Sequence, residues 1–272
     1  MANIIRLGSL YLDGRPANAE TEYKPSQAIS IGETIPGKEI SWVVVNNMLV
    51  ADRCILFGVS WDDLNANGLV FGKEVSIGGF RYTVRLLKVG AKQGAPNEWD
   101  SALDAIGVDN DVWHWEGAYF WGQEAAKEAS IRAYRGHRSA RYYHCYSSSL
   151  QYVNVGFRPA LIPLPSGALW PSSKAMWWLS EKVMWDDAHL DETLWLSKKK
   201  AMWMLWGGQN IIFGRLEELN DYEVVLSDWN GALSNMTFGE GYSDFGSQLD
   251  DGCIVVERSA IAGVQTKQKE AT

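Results

Sequence analysis

The chain has 272 residues, long enough to bury one large core or two modest ones, and its 46% hydrophobic and 21% charged content is that of a folded protein. A formal charge of −8, with no basic stripe, argues against a nucleic-acid partner. No apolar run is long enough to span a bilayer, so no membrane insertion is expected.

The start, Met1-Ala2-Asn3-Ile4-Ile5-Arg6-Leu7, lacks the charged opening and long apolar run of a signal peptide. The expectation is a protein that stays cytoplasmic until it assembles into a particle such as a virion. Residues 1–39 read as strands and turns, with turn signals at Asp13-Gly14 and Pro36-Gly37. Ile40 to Val45 and Met48 to Phe57 form a hairpin across Asn46-Asn47, and the interrupting Asp52-Arg53 pair is expected to face solvent or itself. Val70 to Ile77 and Phe80 to Leu87 form a second hairpin across Gly78-Gly79, a dipeptide that tolerates the positive φ of a tight turn.

Asn97 is a fit N-cap for a helix that Gly107 can close. Glu98 and Asp100 sit in the first turn, where the dipole favours acids, and Trp99, Leu103 and Ile106 share a face. The aromatic block from Val112 to Trp121 reads either as a binding floor or as core beneath loops, the second being the better-supported reading. Gln123 to Ser130 is expected to form a short helix.

The stretch from Arg138 to Leu161 has two halves of opposite character. Val153, Val155 and Phe157 alternate with Asn154, Gly156 and Arg158, the period of a strand with one buried face, and Pro159 ends its freedom to donate to a ladder. Tyr142 to Tyr152 shows neither helical nor strand period. Tyr offers a large amphipathic surface with two torsions to freeze and Ser offers adaptable hydrogen bonding, the pairing found in binding loops. The candidate ligand-binding residues are therefore Tyr142, Tyr143, His144, Tyr146, Ser147, Ser148, Leu150 and Tyr152.

After Pro163-Leu164-Pro165-Ser166-Gly167 the character changes, and a domain boundary is placed there. Lys174-Ala175-Met176-Trp177-Trp178-Leu179 recurs as Lys200-Ala201-Met202-Trp203-Met204-Leu205, each after a Leu-Trp pair, so a degenerate repeat of short strands is expected. Trp170, Trp177, Trp178, Trp185, Trp195, Trp203 and Trp206 crowd this region and must form a core of their own or cover another subunit. Asp228 to Gly231 and the stretch from Gly239 to Gly246 read as turns. The expected architecture is α+β: a segment 1–39, a loop-rich domain 40–165 with few helices, and a mainly β, Trp-rich region 166–272.

Ile40-Ser41-Trp42, Ala51-Asp52-Arg53, Val59-Ser60-Trp61-Asp62-Asp63-Leu64, Val84-Arg85-Leu86-Leu87, Asn97-Glu98-Trp99-Asp100 and Val155-Gly156-Phe157-Arg158-Pro159 together resemble a bacterial or phage domain of the C-type lectin fold. Ser139-Ala140-Arg141, an irregular aromatic run and the Gly-Phe-Arg-Pro ending are similar to the variable proteins of diversity-generating retroelements. That resemblance implies a scaffold whose loop at 142–150 is rewritten through adenine-directed mutagenesis. It also implies a protein or glycan receptor on a cell surface as partner, and the Trp-rich region adds the expectation that the chain is held as a homo-oligomer or on a particle. No cofactor is implied. A structural particle protein that leaves the loop unused is the competing reading.

Formylglycine-generating enzymes share the fold and the Gly-Phe-Arg ending, but their chemistry needs a cysteine pair ahead of that strand. Cys54, Cys145 and Cys253 are far apart in sequence, which disfavours both that oxidase and a disulfide framework. His114, His137 and His189 show no ligand spacing, and Pro96-Asn97-Glu98 and Trp229-Asn230-Gly231 only half-match calcium-lectin motifs, so no metal and no catalytic constellation are expected.

Overall fold

Short β-branched and aromatic runs punctuated by Gly and Asn build strands joined by tight turns. The computed structural model describes residues 2–165, 201–219, 222–234 and 245–267. They form two compact units, Ala2–Ile162 and a second from Pro163 onward. Most elements are strands and the helices are few and short, an α+β composition.

The first unit opens with β1 (Ile4–Leu7), β2 (Ser9–Leu12), β3 (Arg15–Ala17), β4 (Ile29–Gly32), β5 (Ile40–Val45), β6 (Met48–Ala51), β7 (Leu56–Phe57) and helix α1 (Trp61–Ala66). It continues through β8 (Lys73–Ile77), β9 (Phe80–Leu86), α2 (Glu98–Ile106), α3 (Asn110–Trp113), β10 (Tyr119–Ala125), β11 (Ile131–Gly136), β12 (Tyr143–Ser147), β13 (Val155–Phe157) and β14 (Pro159–Pro163). Three sheets result, with orders β1-β5-β6-β14-β9-β8, β12-β11-β10-β13-β7 and β3-β2-β4. The segment before residue 40 is tied in, because β1 pairs with β5.

Both expected hairpins form. Asn46 and Asn47 each take positive φ (50° and 61°), which matches the twist of the flanking strands, and Gly78 and Gly79 do the same for β8–β9. Asp52 is buried and Arg53 turns back on it with two hydrogen bonds of 3.1 and 3.0 Å.

Helix α2 starts where Asn97 accepts from the Asp100 N–H at 2.8 Å and stops at Gly107, whose φ is 104°. Trp99 and Leu103 are buried by it. Trp99 packs edge-on against Trp113 and Phe120, with ring centres 5.0 and 4.9 Å away, and its Nε1 donates to the Ala140 carbonyl. The aromatic block is therefore chiefly core: Trp113, Phe120 and Trp121 are fully buried, while His114, Trp115 and Tyr119 stay partly accessible.

The first turn of α2 also carries a charge lock. Arg85 grips Glu98 through two 2.7 Å bonds, and the Lys88 N–H adds a third at 2.9 Å. Burial alone would push the Glu98 carboxyl up, but the Arg85 and Lys88 donors win and hold it below the ordinary glutamate range. A folded pKa held low contributes stability above the unfolded pKa and loses it as pH falls through the folded one. Glu98→Gln should therefore destabilise the chain most at neutral pH. The gap to the parent should close in acid, as read by urea unfolding at several pH values.

The helix expected over Gln123–Ser130 does not form. Gln123 to Ala125 complete β10 instead, and the Gln123 amide donates to the buried carbonyls of Val70 and Leu86 at 2.9 and 3.0 Å. Local helix propensity loses to the β10–β11 pairing and to these long-range hydrogen bonds, which a helix over the same residues would give up.

The second unit contains β15 (Met202–Gly207), β16 (Asn210–Leu219), β17 (Glu223–Ala232), β18 (Gly246–Gln248), β19 (Ile254–Glu257) and β20 (Gly263–Thr266), in the sheet order β18-β19-β17-β16-β15-β20. Trp203, Leu205, Ile212, Leu226, Phe245 and Ile254 belong to its core. The second Ala-Met-Trp phrase thus lies largely in β15. Its first copy, with Trp170, Trp177, Trp178, Trp185 and Trp195, lies outside the described residues, as does most of the stretch from Gly239 to Gly246. The turn expected at Asp228–Gly231 lies within β17. Register shifts there against β16 and Asp228 takes a φ of 47°, so the polar residues mark an irregularity within a strand.

Candidate functional site

The run from Tyr143 to Ser147 is a strand, β12, contrary to the aperiodic loop expected. It is the edge of the five-stranded sheet and alternates between half-buried and exposed residues. Hydropathy hid this period, because Tyr, His, Cys, Tyr and Ser differ too little for alternation to show.

Partners across an antiparallel ladder share a face. The register pairs Arg132 with Tyr146 and Tyr134 with His144, and on the opposite face Arg135 with Tyr143 and Ala133 with Cys145. The candidate residues are therefore divided. On the first face, the His144 ring stacks on Tyr134 at 5.3 Å and lies 6.3 Å from Tyr142. Tyr119 sits 4.7 Å from Tyr134, and His137 stacks on Tyr119 at 4.4 Å. Arg138 lies over Tyr142 at 5.3 Å, and Arg132 covers the Trp61 ring at 3.7 Å. Tyr146 is 48% exposed beside them. Burial pushes the Tyr134 phenol up to about 12, with the neighbouring phenols of Tyr119 and Tyr142 adding to it, and burial also raises Tyr119. At neutral pH the Tyr119 and Tyr134 phenols are thus uncharged.

Tyr143 points the other way. Its hydroxyl donates to the Ala91 carbonyl at 2.7 Å, its ring lies 5.3 Å from the Arg135 guanidinium, and it packs on the core. Ser148 is buried, donating from its amide to the Ser130 carbonyl at 2.7 Å and from Oγ to Asp62 at 3.0 Å. Ser147 lies 3.0 Å from the Ser149 hydroxyl, and the Leu150 N–H closes a turn onto the Ser147 carbonyl. Tyr152 is 56% exposed, with its carbonyl accepting from Val155 N–H. Val153, expected to alternate into the core, is 88% exposed, because β13 starts only at Val155.

The edge strand is blunted by its own histidine. The Cys145 N–H donates to His144 Nδ1 at 2.8 Å, and the same nitrogen lies 2.9 Å from the Cys145 carbonyl. Downstream, Gln151 donates to Asp63 at 2.7 Å, and Asp63 also closes a capping box with Ser60 at the start of α1. The segment after β12 is therefore anchored at its base.

The two tyrosines should separate in a stability assay. Tyr146→Ala should shift unfolding by no more than about 0.5 kcal/mol, as at other surface positions. Tyr143→Ala should cost on the order of 2 kcal/mol through its lost hydrogen bond and ring packing. Equal effects in chemical denaturation would contradict the division of faces.

The Gly-Phe-Arg ending is wholly internal. Phe157 and Arg158 are fully buried, with Arg158 beside Trp99 and Phe120 at 5.0 and 4.7 Å and donating to the Trp113 and His114 carbonyls. Comparison with protein-family models, curated proteins and solved structures gives no match.

All three cysteines are free; Cys54 is buried and its thiol is pushed up to about 11 by that burial. Among the described residues no three His, Cys, Asp or Glu come together in a metal-holding group. Asn97 serves as a helix cap, and Asn230 lies within β17. Among the described residues no helix is long and apolar enough to cross a membrane. A cleft of about 410 Å³ elsewhere in this unit is lined by Arg6, Lys38, Asp52 and Arg53, among others. Its Arg53 is held by Asp52, and its Lys38 by the Pro16 carbonyl.

Sequence reasoning missed Tyr119, Arg132, Tyr134, His137 and Arg138. Only the aromatic density around Tyr119 pointed to any of them. Arg132 and Tyr134 join the face through strand register, and His137 and Arg138 through ring contacts just after β11.

Proposed function

We propose that the chain is a binding protein: a C-type-lectin-like scaffold, of the diversity-generating retroelement variable type, that presents one face of β11 and β12 to a protein or glycan receptor on a cell surface. The observation that carries this reading is the gathering of Tyr142, His144 and Tyr146 with Tyr119 and Tyr134 on one sheet face, beside a segment anchored to α1. Rings offered on a rigid strand lose little entropy on contact, which favours recognition over chemistry. The second, Trp-rich unit serves in this reading to hold the chain in a homo-oligomer or on a phage particle, where several copies engaging one surface raise avidity.

The decisive test is the coding locus in independent isolates. Adenine-directed differences at the codons for Tyr142, His144 and Tyr146, with Gly156, Phe157 and Arg158 constant and a template copy near a reverse transcriptase gene, would support the reading. Invariant codons with no such neighbours would remove the retroelement part. Light scattering of the full chain tests the rest: a strict monomer with no partner particle argues against docking.

A further inference from the structure

The arginines of the first unit are used unevenly. Arg53, Arg81, Arg85, Arg135 and Arg141 all pair with carboxylates. Arg132 and Arg138, the two on the aromatic face, do not: among the described residues no carboxylate lies within 4.0 Å of either. Asp62 acts on Arg132 only from a distance, and one of its oxygens is already taken by the Ser148 hydroxyl. Each guanidinium lies over a ring, Arg132 on Trp61 and Arg138 on Tyr142, which fixes its plane without using its hydrogen-bond donors.

Resting on the binding role proposed above, we propose that this face takes an anionic saccharide, with sugar rings stacked on the exposed faces of Tyr142, His144 and Tyr146 and acidic groups received by Arg138 and Arg132. The polarised C–H bonds of a pyranose are attracted to the negative face of an aromatic ring. The phenols and imidazoles that supply those faces also carry hydroxyls and ring nitrogens, which suit a ligand rich in hydroxyl groups. Burial raises the neighbouring Tyr119 and Tyr134 phenols, which keeps those two uncharged and unable to repel an anion.

A chain of net charge −8 repels polyanions at long range, so recognition of an acid here depends on these two local cations, and a long phosphate backbone is disfavoured. From Arg132 to Gly136 the strand covers about 13 Å, and Arg138 lies beyond it. A ligand that meets both guanidiniums must therefore contain more than one sugar unit.

The test is titration calorimetry of the full chain with matched acidic and neutral probes: sialyllactose against lactose, and tetragalacturonate against maltotetraose. The expected result is at least tenfold tighter binding of an acidic member than of its neutral partner, with the preference shrinking as salt rises. Arg138→Gln, at an exposed position, should reduce that preference, and Arg132→Gln with Arg138→Gln should abolish it. Tyr142→Ser with Tyr146→Ser should weaken both members of the pair, each variant being checked for an unchanged thermal melt.

Equal affinity for acidic and neutral members, or no binding of either acidic probe, overturns the anionic-saccharide assignment. So does indifference to Arg138→Gln, or binding of a single-stranded oligonucleotide in preference to the sugars. None of these bears on the coding-locus test, so failure of the ligand class and failure of the binding role can be told apart.

Discussion

Trp99→Ala is expected to cost about 3–5 kcal/mol, the range for truncating a large buried aromatic. Trp99 is fully buried, and it joins parts of the first unit that are far apart in sequence. Its ring meets Trp113 and Phe120 edge-on and the Arg158 guanidinium at 5.0 Å, and its Nε1 satisfies the Ala140 carbonyl at 2.7 Å. Alanine would leave a cavity among three large groups, an unsatisfied buried carbonyl, and a buried cation stripped of one aromatic neighbour. For a unit of this size the loss corresponds to a fall in melting temperature on the order of 10 °C. Trp99→Phe should recover much of the packing but not the hydrogen bond. A melt for Trp99→Ala within a degree of the parent would show that α2 is not anchored as described.

The second large effect is expected at Gly156. A Cβ built there would lie 2.5 Å from the Leu56 carbonyl oxygen and 3.1 Å from both Cys54 Cβ and the Phe57 ring. The oxygen belongs to the backbone of the neighbouring strand β7, whose pairing places Gly156 opposite Phe57, so it cannot swing aside as a side chain would. Gly156→Ala must therefore part β13 from β7, at a cost at or above the upper end of the roughly 1–3 kcal/mol typical of overpacking. Gly58→Ala serves as the control. Unlike Gly156, that glycine has a positive φ (68°) but open space around its Cβ, so it should show only backbone strain and a smaller loss. A loss at Gly156 no larger than that at Gly58 would show that the close approach to the Leu56 carbonyl does not dictate glycine there.

These two positions also explain how the aromatic face is held. β13 runs parallel to β10, which pairs with β11, and β11 carries the edge strand β12. Loosening β13 should therefore disturb the placement of Tyr142, His144 and Tyr146, although none of them touches it in sequence.

Wherever local chemistry dominates, the sequence alone was sufficient. Asn46-Asn47 and Gly78-Gly79 set their hairpins because few other residues accept positive φ. Asn97 and Gly107 bound α2 because the orphan amides and carbonyls of a helix end need those partners. Trp99 and Leu103 were assigned to the core by helical spacing.

Other features followed from what lay across the chain. The helix-favouring run after Gln123 became the end of a strand because pairing with β11 and hydrogen bonds to the distant Val70 and Leu86 carbonyls hold it there. Tyr143 to Ser147 became an edge strand because β11 offered a ladder, which no hydropathy period within those five residues could announce. Ladder register then assigned His144 and Tyr146 to the open aromatic face and Tyr143 to the core, and a hydrogen bond to Asp62 committed Ser148 to structure. Composition suggested that this segment meets a partner. Which side chains are free to do so was decided by pairing between strands, a non-local property that a reading along one chain does not contain.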